Sequence, residues 1–306
     1  MPKRNRQKDE PSPEENEEEQ EPSLSSNTTS DDEDDNSDVP SGAGTSEEAS
    51  DDDEDGEAFD SIEVDFEFSD PTEDDFQPLR TLLTGLLDGK TFAVSDLVNA
   101  VIQQSKQNNI GSLVKCGASG GGGPGPSSPL AQPQAGAAAA TDVIGLMTVL
   151  PLGLPTSWST DIYKFCSLSA PDDSTKTSFN KAWNSPTTAL LLTERVINCP
   201  PQLAGPLLQQ ALEEVGQSTG LKSSIKSYIY LGRAFKEQKQ GGELVHVTPD
   251  GEAIAEHADL VFDFACEGRL SVDKMQPRRV VAVISSSSVM KALKSVQAIE
   301  FASTLL

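Results

Sequence analysis

The chain has 306 residues, with 49 acidic against 23 basic side chains and a formal charge of −26. Residues 1–75 hold 30 of the acids against 4 basic residues, so the remaining 231 residues balance, with 19 of each sign. A polyanionic arm repels nucleic acid, which excludes the arm as a nucleic-acid-binding element. The longest apolar run, Val143–Leu154, is broken by Pro151 and falls short of the roughly 20 residues of a membrane helix.

The first residues are basic: Lys3, Arg4, Arg6 and Lys8 form the cluster KRNRQK, either a nuclear-import signal or a chance basic start. Acidic runs then alternate with Ser, Pro and Gly. The densest are Asp31, Asp32, Glu33, Asp34 and Asp35, and Asp51, Asp52, Asp53, Glu54 and Asp55. Repulsion between like charges and the lack of apolar side chains predict a disordered arm over residues 1–61. It is either a solubilising tail or a polyanion that screens a very basic partner. Ser30 and Ser50 each precede an acidic run and are candidate sites for an acid-directed kinase. A phosphopeptide map with neither site modified would remove that idea.

The body begins near Ile62, where Ile62, Val64, Phe66 and Phe68 alternate with acids at the period of a half-buried strand. Thr72, with Asp75 three residues on, offers a helix start. Phe76, Leu79, Leu82, Leu83, Leu86 and Leu87 follow at helical spacing up to Gly89. A second stripe, Val94–Ile102, predicts another helix, and residues 110–115 a short strand. The Gly/Ser/Pro- then Ala-rich segment 117–140 matches neither GxxxxGK[ST] nor an orderly GxGxxG, and is expected to be a flexible insert. Strands are expected at 143–150, 187–193, 227–235, 259–265 and 280–284. Helices are expected around Trp158–Leu168, 174–183, Leu203–Val215 and 287–301. Interspersed strands and helices predict a single α/β or α+β domain over 62–306, with a mixed central sheet flanked by helices.

The chemistry-bearing residues are sparse. Cys116, Cys166, Cys199 and Cys266 lie 50, 33 and 67 positions apart, without CxxC spacing, and are expected to be reduced thiols of the cytosol or nucleus. His246 and His257 stand outside HExxH and beside no second ligand, so a surface or structural role is expected and no metal or cofactor is implied. There is no GxSxG elbow. Glu194-Arg195, after the buried strand, is open to three readings: an acid/base pair, an anion site, or an ion pair at a strand end. No catalytic residue is assigned.

Six segments in register resemble the BCCIP family, which includes yeast Bcp-type proteins. They are VDFEFSDP (64–71) with DDF (74–76), NIGSLVK (109–115), DVIGL (142–146), LLLTERVINCPPQ (190–202), YIYL (228–231) and MQPRRVV (275–281). The resemblance spans about 62–297. It implies a fold similar to GCN5-related acetyltransferases without their acyl-CoA phosphate loop, since no R-x-x-G-x-[GA] is present. It implies a non-enzymatic nuclear adaptor or chaperone for a basic client, a large-subunit ribosomal protein, acting in ribosome biogenesis and nuclear export. A scaffold for DNA-repair and cell-cycle proteins is the alternative, and a divergent acyltransferase a weaker one. On this reading the runs 31–35 and 51–55 bind the client. Glu194, Arg195 and Asn198 are candidates for a recognition surface, and Leu190–Leu192 for core. The insert at 117–140 and the mixed-charge stretch 236–259, where animal members are Lys-rich, depart from the family pattern.

Overall fold

The computed structural model describes residues 64–118, 142–221, 224–239, 241–267, 271 and 274–304. Lys3, Arg4, Arg6 and Lys8, the acidic runs at 31–35 and 51–55, Ser30, Ser50 and nearly all of the segment 117–140 lie outside the described residues. The chain divides at Phe59/Asp60 into two units, and the second holds every element below.

The alternating entry segment forms strand β1 (Val64–Ser69). Thr72 then starts a short 3-10 turn, where it forms a capping box with Asp75. The Asp75 carboxylate accepts from the Thr72 N–H at 2.9 Å and from its hydroxyl at 2.8 Å. Helix α1 (Phe76–Thr84) buries Leu79 and Leu83 at the predicted spacing. It ends earlier than Gly89, and Leu86 and Leu87 enter the core from the following turn. Helix α2 (Val94–Asn108) stops on Asn109, whose φ of 52° is left-handed, and Gly111 follows at φ 129°. These two residues turn the chain, so strand β2 (Ser112–Ala118) starts two residues later than the pattern suggests.

Strand β3 (Asp142–Pro151) leads to helices α3 (Ser157–Leu168) and α4 (Asp173–Trp183). Both carry side-chain caps, Thr156 accepting from the Ser159 N–H and Asp172 from the Thr175 N–H. Next come β4 (Thr188–Arg195), α5 (Ala204–Gln217) and β5 (Ser227–Glu237). Pro206 falls in the first turn of α5, where a missing N–H costs nothing. Strand β6 (Leu244–His246), helix α6 (Pro249–His257), β7 (Leu260–Ala265), β8 (Met275–Ser285) and α7 (Ser286–Thr304) complete the order. Neither β6 nor α6 is expected from apolar periodicity. The signal for α6 was Thr248-Pro249, an N-cap followed by proline at the first helical position.

The fold is α/β, with one mixed sheet in the order β1-β2-β3-β4-β5-β8-β7 and β6 alongside β5. The pairing of β4 with β5 is parallel, and the other pairings are antiparallel. Parallel neighbours need a crossover, which α5 supplies. Each inner strand alternates its core side chains between two layers. Leu190 and Leu192 of β4, Ile229 and Leu231 of β5, and Val281 and Val283 of β8 face a core shared with α1–α4. Their neighbours Leu191, Tyr230 and Ala282 face a second core under α5, α6 and α7. In the first layer Phe179 meets Phe262 edge-on at 5.8 Å between ring centroids, a favourable aromatic geometry.

Candidate functional site: a cleft between diverging strands

Strands β4 and β5 run parallel only from Thr188/Ser227 to Leu191/Tyr230, although both continue. Further along, β5 pairs on that same side with β6, at Ala234–Lys236. The gap between β4 and β6 opens a cleft of about 190 Å³, lined by residues of both sheet faces. Mostly apolar groups border it, with Ile197 91% exposed at its rim.

The period of two sends the last residues of β4 to opposite faces. Glu194 follows Leu190 and Leu192 towards the α1–α4 layer, and its side chain is only 5% exposed. Arg233 Nη2 lies 2.8 Å from Glu194 Oε2, and Arg279 Nη1 lies 3.6 Å from Oε1. Arg279 also donates from Nε to Asp88 Oδ1 at 3.0 Å and from Nη2 to the Gly85 carbonyl at 2.7 Å. Asp88 adopts a left-handed conformation, φ 55°, which an aspartate tolerates better than most residues. The α1–α2 connection therefore presents both a carboxylate and a carbonyl to the same guanidinium. Burial pushes the Glu194 carboxyl above its usual range, with Arg233 and Arg279 opposing.

Arg195 projects to the other face and pairs with Asp250, at the start of α6, whose side chain is 0% exposed. Burial disfavours the Arg195 charge, but Asp250 outweighs it and holds the guanidinium above its ordinary value. Tyr230 packs beside this pair and is hydrogen-bonded to Thr248, while burial keeps its phenol protonated well beyond the usual range. Room for its ring comes from two glycines: a Cβ at Gly232 would overlap the Tyr230 ring, and one at Gly251 would press on its hydroxyl. At the cleft wall the buried Thr193 hydroxyl has no hydrogen-bond partner among the described residues.

The sequence candidates separate here. Glu194 and Arg195 are buried ion-pair members on opposite faces, while Asn198 is exposed in the turn that follows. Leu190–Leu192 are core. His246 is partly buried on β6, and burial lowers its pKa. His257 ends α6 and shares a hydrogen bond of 3.0 Å with Ser295. All four cysteines are free thiols, with Cys199 and Cys266 on the cleft and Cys166 buried, its thiol pushed up to about 12 by burial. Sequence reasoning did not single out Arg233, Arg279, Asp88 or Asp250. For Arg279 a signal existed, since the period that buries Val281 and Val283 also turns residue 279 into the core.

What this arrangement does chemically is hold charge in balance. Asp88 and Glu194 face Arg233 and Arg279, and Asp250 faces Arg195, so each buried charge has an opposite close by. Among the described residues no group of three or more His, Cys, Asp or Glu is placed to hold a metal ion.

The BCCIP family model matches residues 61–258, more than half of the chain. The chain belongs to the BCCIP family. A BRCA2 and CDKN1A-interacting protein of Bos taurus is 24% identical, over 77% of this chain and 83% of its own length. Protein BCP1 of Mycosarcoma maydis is 30% identical, over 58% of this chain and 51% of its own. The crystal structure of BCP1 from Saccharomyces cerevisiae superposes with a TM-score of 0.53 at 16% identity, covering 82% of this chain and 98% of that one. At that identity the superposition speaks for the fold alone. The family match takes in β1 through α6, and with them β4, β5 and β6 around the cleft, but ends before Cys266, Pro277 and Arg278 of its lining and before Arg279.

Proposed function

We propose that this BCCIP-family protein is a non-enzymatic nuclear adaptor and chaperone for a basic client, a large-subunit ribosomal protein, in ribosome biogenesis and nuclear export. The observation that carries the reading is the partition of charge: all of the net −26 resides in residues 1–75 and the rest is neutral. A polyanionic arm raises the encounter rate with a basic protein and screens its charge, while a neutral body supplies shape. The cleft supports binding over catalysis, because its carboxylates are engaged by guanidinium groups instead of being poised as acid or base.

A second reading, a scaffold for DNA-repair and cell-cycle proteins, is favoured by the Bos taurus relative, which is named for its interaction with BRCA2 and CDKN1A. The test is affinity purification from nuclear extract with the full chain and with residues 62–306. Enrichment of one basic ribosomal protein by the full chain, reduced without the arm and steeply salt-dependent, supports the chaperone. Enrichment of repair proteins with no basic client supports the scaffold. Equal recovery of a basic client without the arm would remove the arm's role.

A further inference from the structure

Strand β1 is the end of the sheet. It pairs with β2 on one side, and among the described residues no strand pairs with its outer edge. Sheet edges of this kind leave a row of backbone N–H and C=O groups pointing outward, each able to bond another extended chain. The side chains of β1 are unusual for a strand that packs on a core, since Asp65, Phe66, Glu67 and Phe68 are all exposed. Phe66 and Phe68 share one face, each 37% exposed, beside Cys116 and Val114 of β2. Asp65 and Glu67 share the opposite face. Lys115, directly across from Glu67, is drawn instead to Asp75, at 2.7 Å. Asp70 and Asp74, just beyond the strand, are exposed as well. The edge therefore offers backbone bonding, an aromatic face and an acidic face within six residues.

We propose that the outer edge of β1 receives an extended segment of a basic partner as an added strand. Its apolar side chains cover Phe66 and Phe68, and its lysines or arginines stand over Asp65 and Glu67. The alternation of β1 demands the same alternation in the occupant, because neighbours across a ladder share a face. Opposite charges across neighbouring strands attract and like charges repel, so the acidic face selects a basic strand. The same repulsion acts against a second copy, since β1 laid against β1 sets Asp65 and Glu67 beside their own kind. The proposal rests on the basic-client reading and adds to it a place on the body and a sequence pattern for the client.

The experiment titrates the full-length chain with two labelled peptides of equal charge, at low salt. In one, lysine alternates with valine over a length that spans β1. In the other, glycine and proline replace the valines, which removes both the apolar face and the strand. The alternating peptide is expected to bind roughly tenfold more tightly. An Asp65→Lys/Glu67→Lys variant, with its arm intact and its thermal unfolding checked against the parent, should lose that preference and keep the weaker binding. Hydrogen exchange should show new protection at residues 64–69 on binding. Equal affinity for both peptides, or protection confined to another part of the body, would overturn the edge and leave the basic-client reading standing. Binding of neither peptide would overturn both. A mass doubling in sedimentation, abolished by the same charge reversal, would assign the edge to a second copy and also overturn the proposal.

Discussion

Arg279 and Asp88 are 191 positions apart, yet the Arg279 Nε donates to the Asp88 Oδ1 at 3.0 Å inside the core. Neither is meaningfully open to water, at 0% and 2% side-chain exposure. Arg279 thus fastens the last strand of the sheet to the turn after the first helix, and it answers Glu194 with the same guanidinium.

Replacing this arginine should be costly. Arg279→Met takes a buried cation from both Asp88 and Glu194, and removal of one member of a buried pair costs about 3–5 kcal/mol. Chemical denaturation should show a loss of that size. A double replacement, Arg279→Met with Asp88→Asn, should recover part of it, and strictly additive losses would mean that the pair is not coupled.

Gly232 should tolerate no side chain while Tyr230 keeps its place. A methyl group there overlaps the ring, so Gly232→Ala should cost about 1–3 kcal/mol by forcing the tyrosine off its rotamer. Placed on a Tyr230→Ala background, the same change should cost much less. If the two losses simply add, the close approach is not what makes residue 232 a glycine.

Asp75 gives a pH dependence of defined sign. Burial acts to raise its pKa, but Lys115 and Thr72 together hold it below the ordinary 3.8. A depressed folded-state pKa contributes stability above the unfolded-state value and loses it as the pH falls through the folded one. The stability difference between the parent and Asp75→Asn should thus be full near neutral pH and shrink below pH 3.8. A difference that stays constant down to the acid transition would show that the charge of Asp75 contributes nothing.

Most of this architecture was legible in the sequence, because apolar spacing marks most of its strands and helices. Phe66 and Phe68 announce β1, and Leu79 and Leu83 announce α1, through spacing alone. The elements that escaped are those whose making depends on few apolar residues. Helix α6 buries only Ala253 and Ile254 of its apolar side chains, and β6 is three residues long. The cleft escaped for another reason. The ion pairs in and behind it draw on positions 88, 194, 195, 233, 250 and 279, and no spacing along the chain records that Glu194 and Arg195 sit on opposite sides of a sheet. Only the register of β4 against its neighbours makes that visible.

The short parallel contact between β4 and β5 has a consequence for synthesis. It joins two antiparallel sets of strands through four residue pairs, one set complete by Arg195 and the other only at Ser285. As the chain leaves the ribosome from its N-terminus, the first set can align while the second is still unmade. Until Arg233 and then Arg279 emerge, Glu194 and Asp88 lack the cations that neutralise them in the finished protein. Arg195 waits in the same way for Asp250, so a chain halted after β4 holds charges of both signs without the partners they later meet. Completion of the fold is therefore a neutralisation, finished by the last strand to be made.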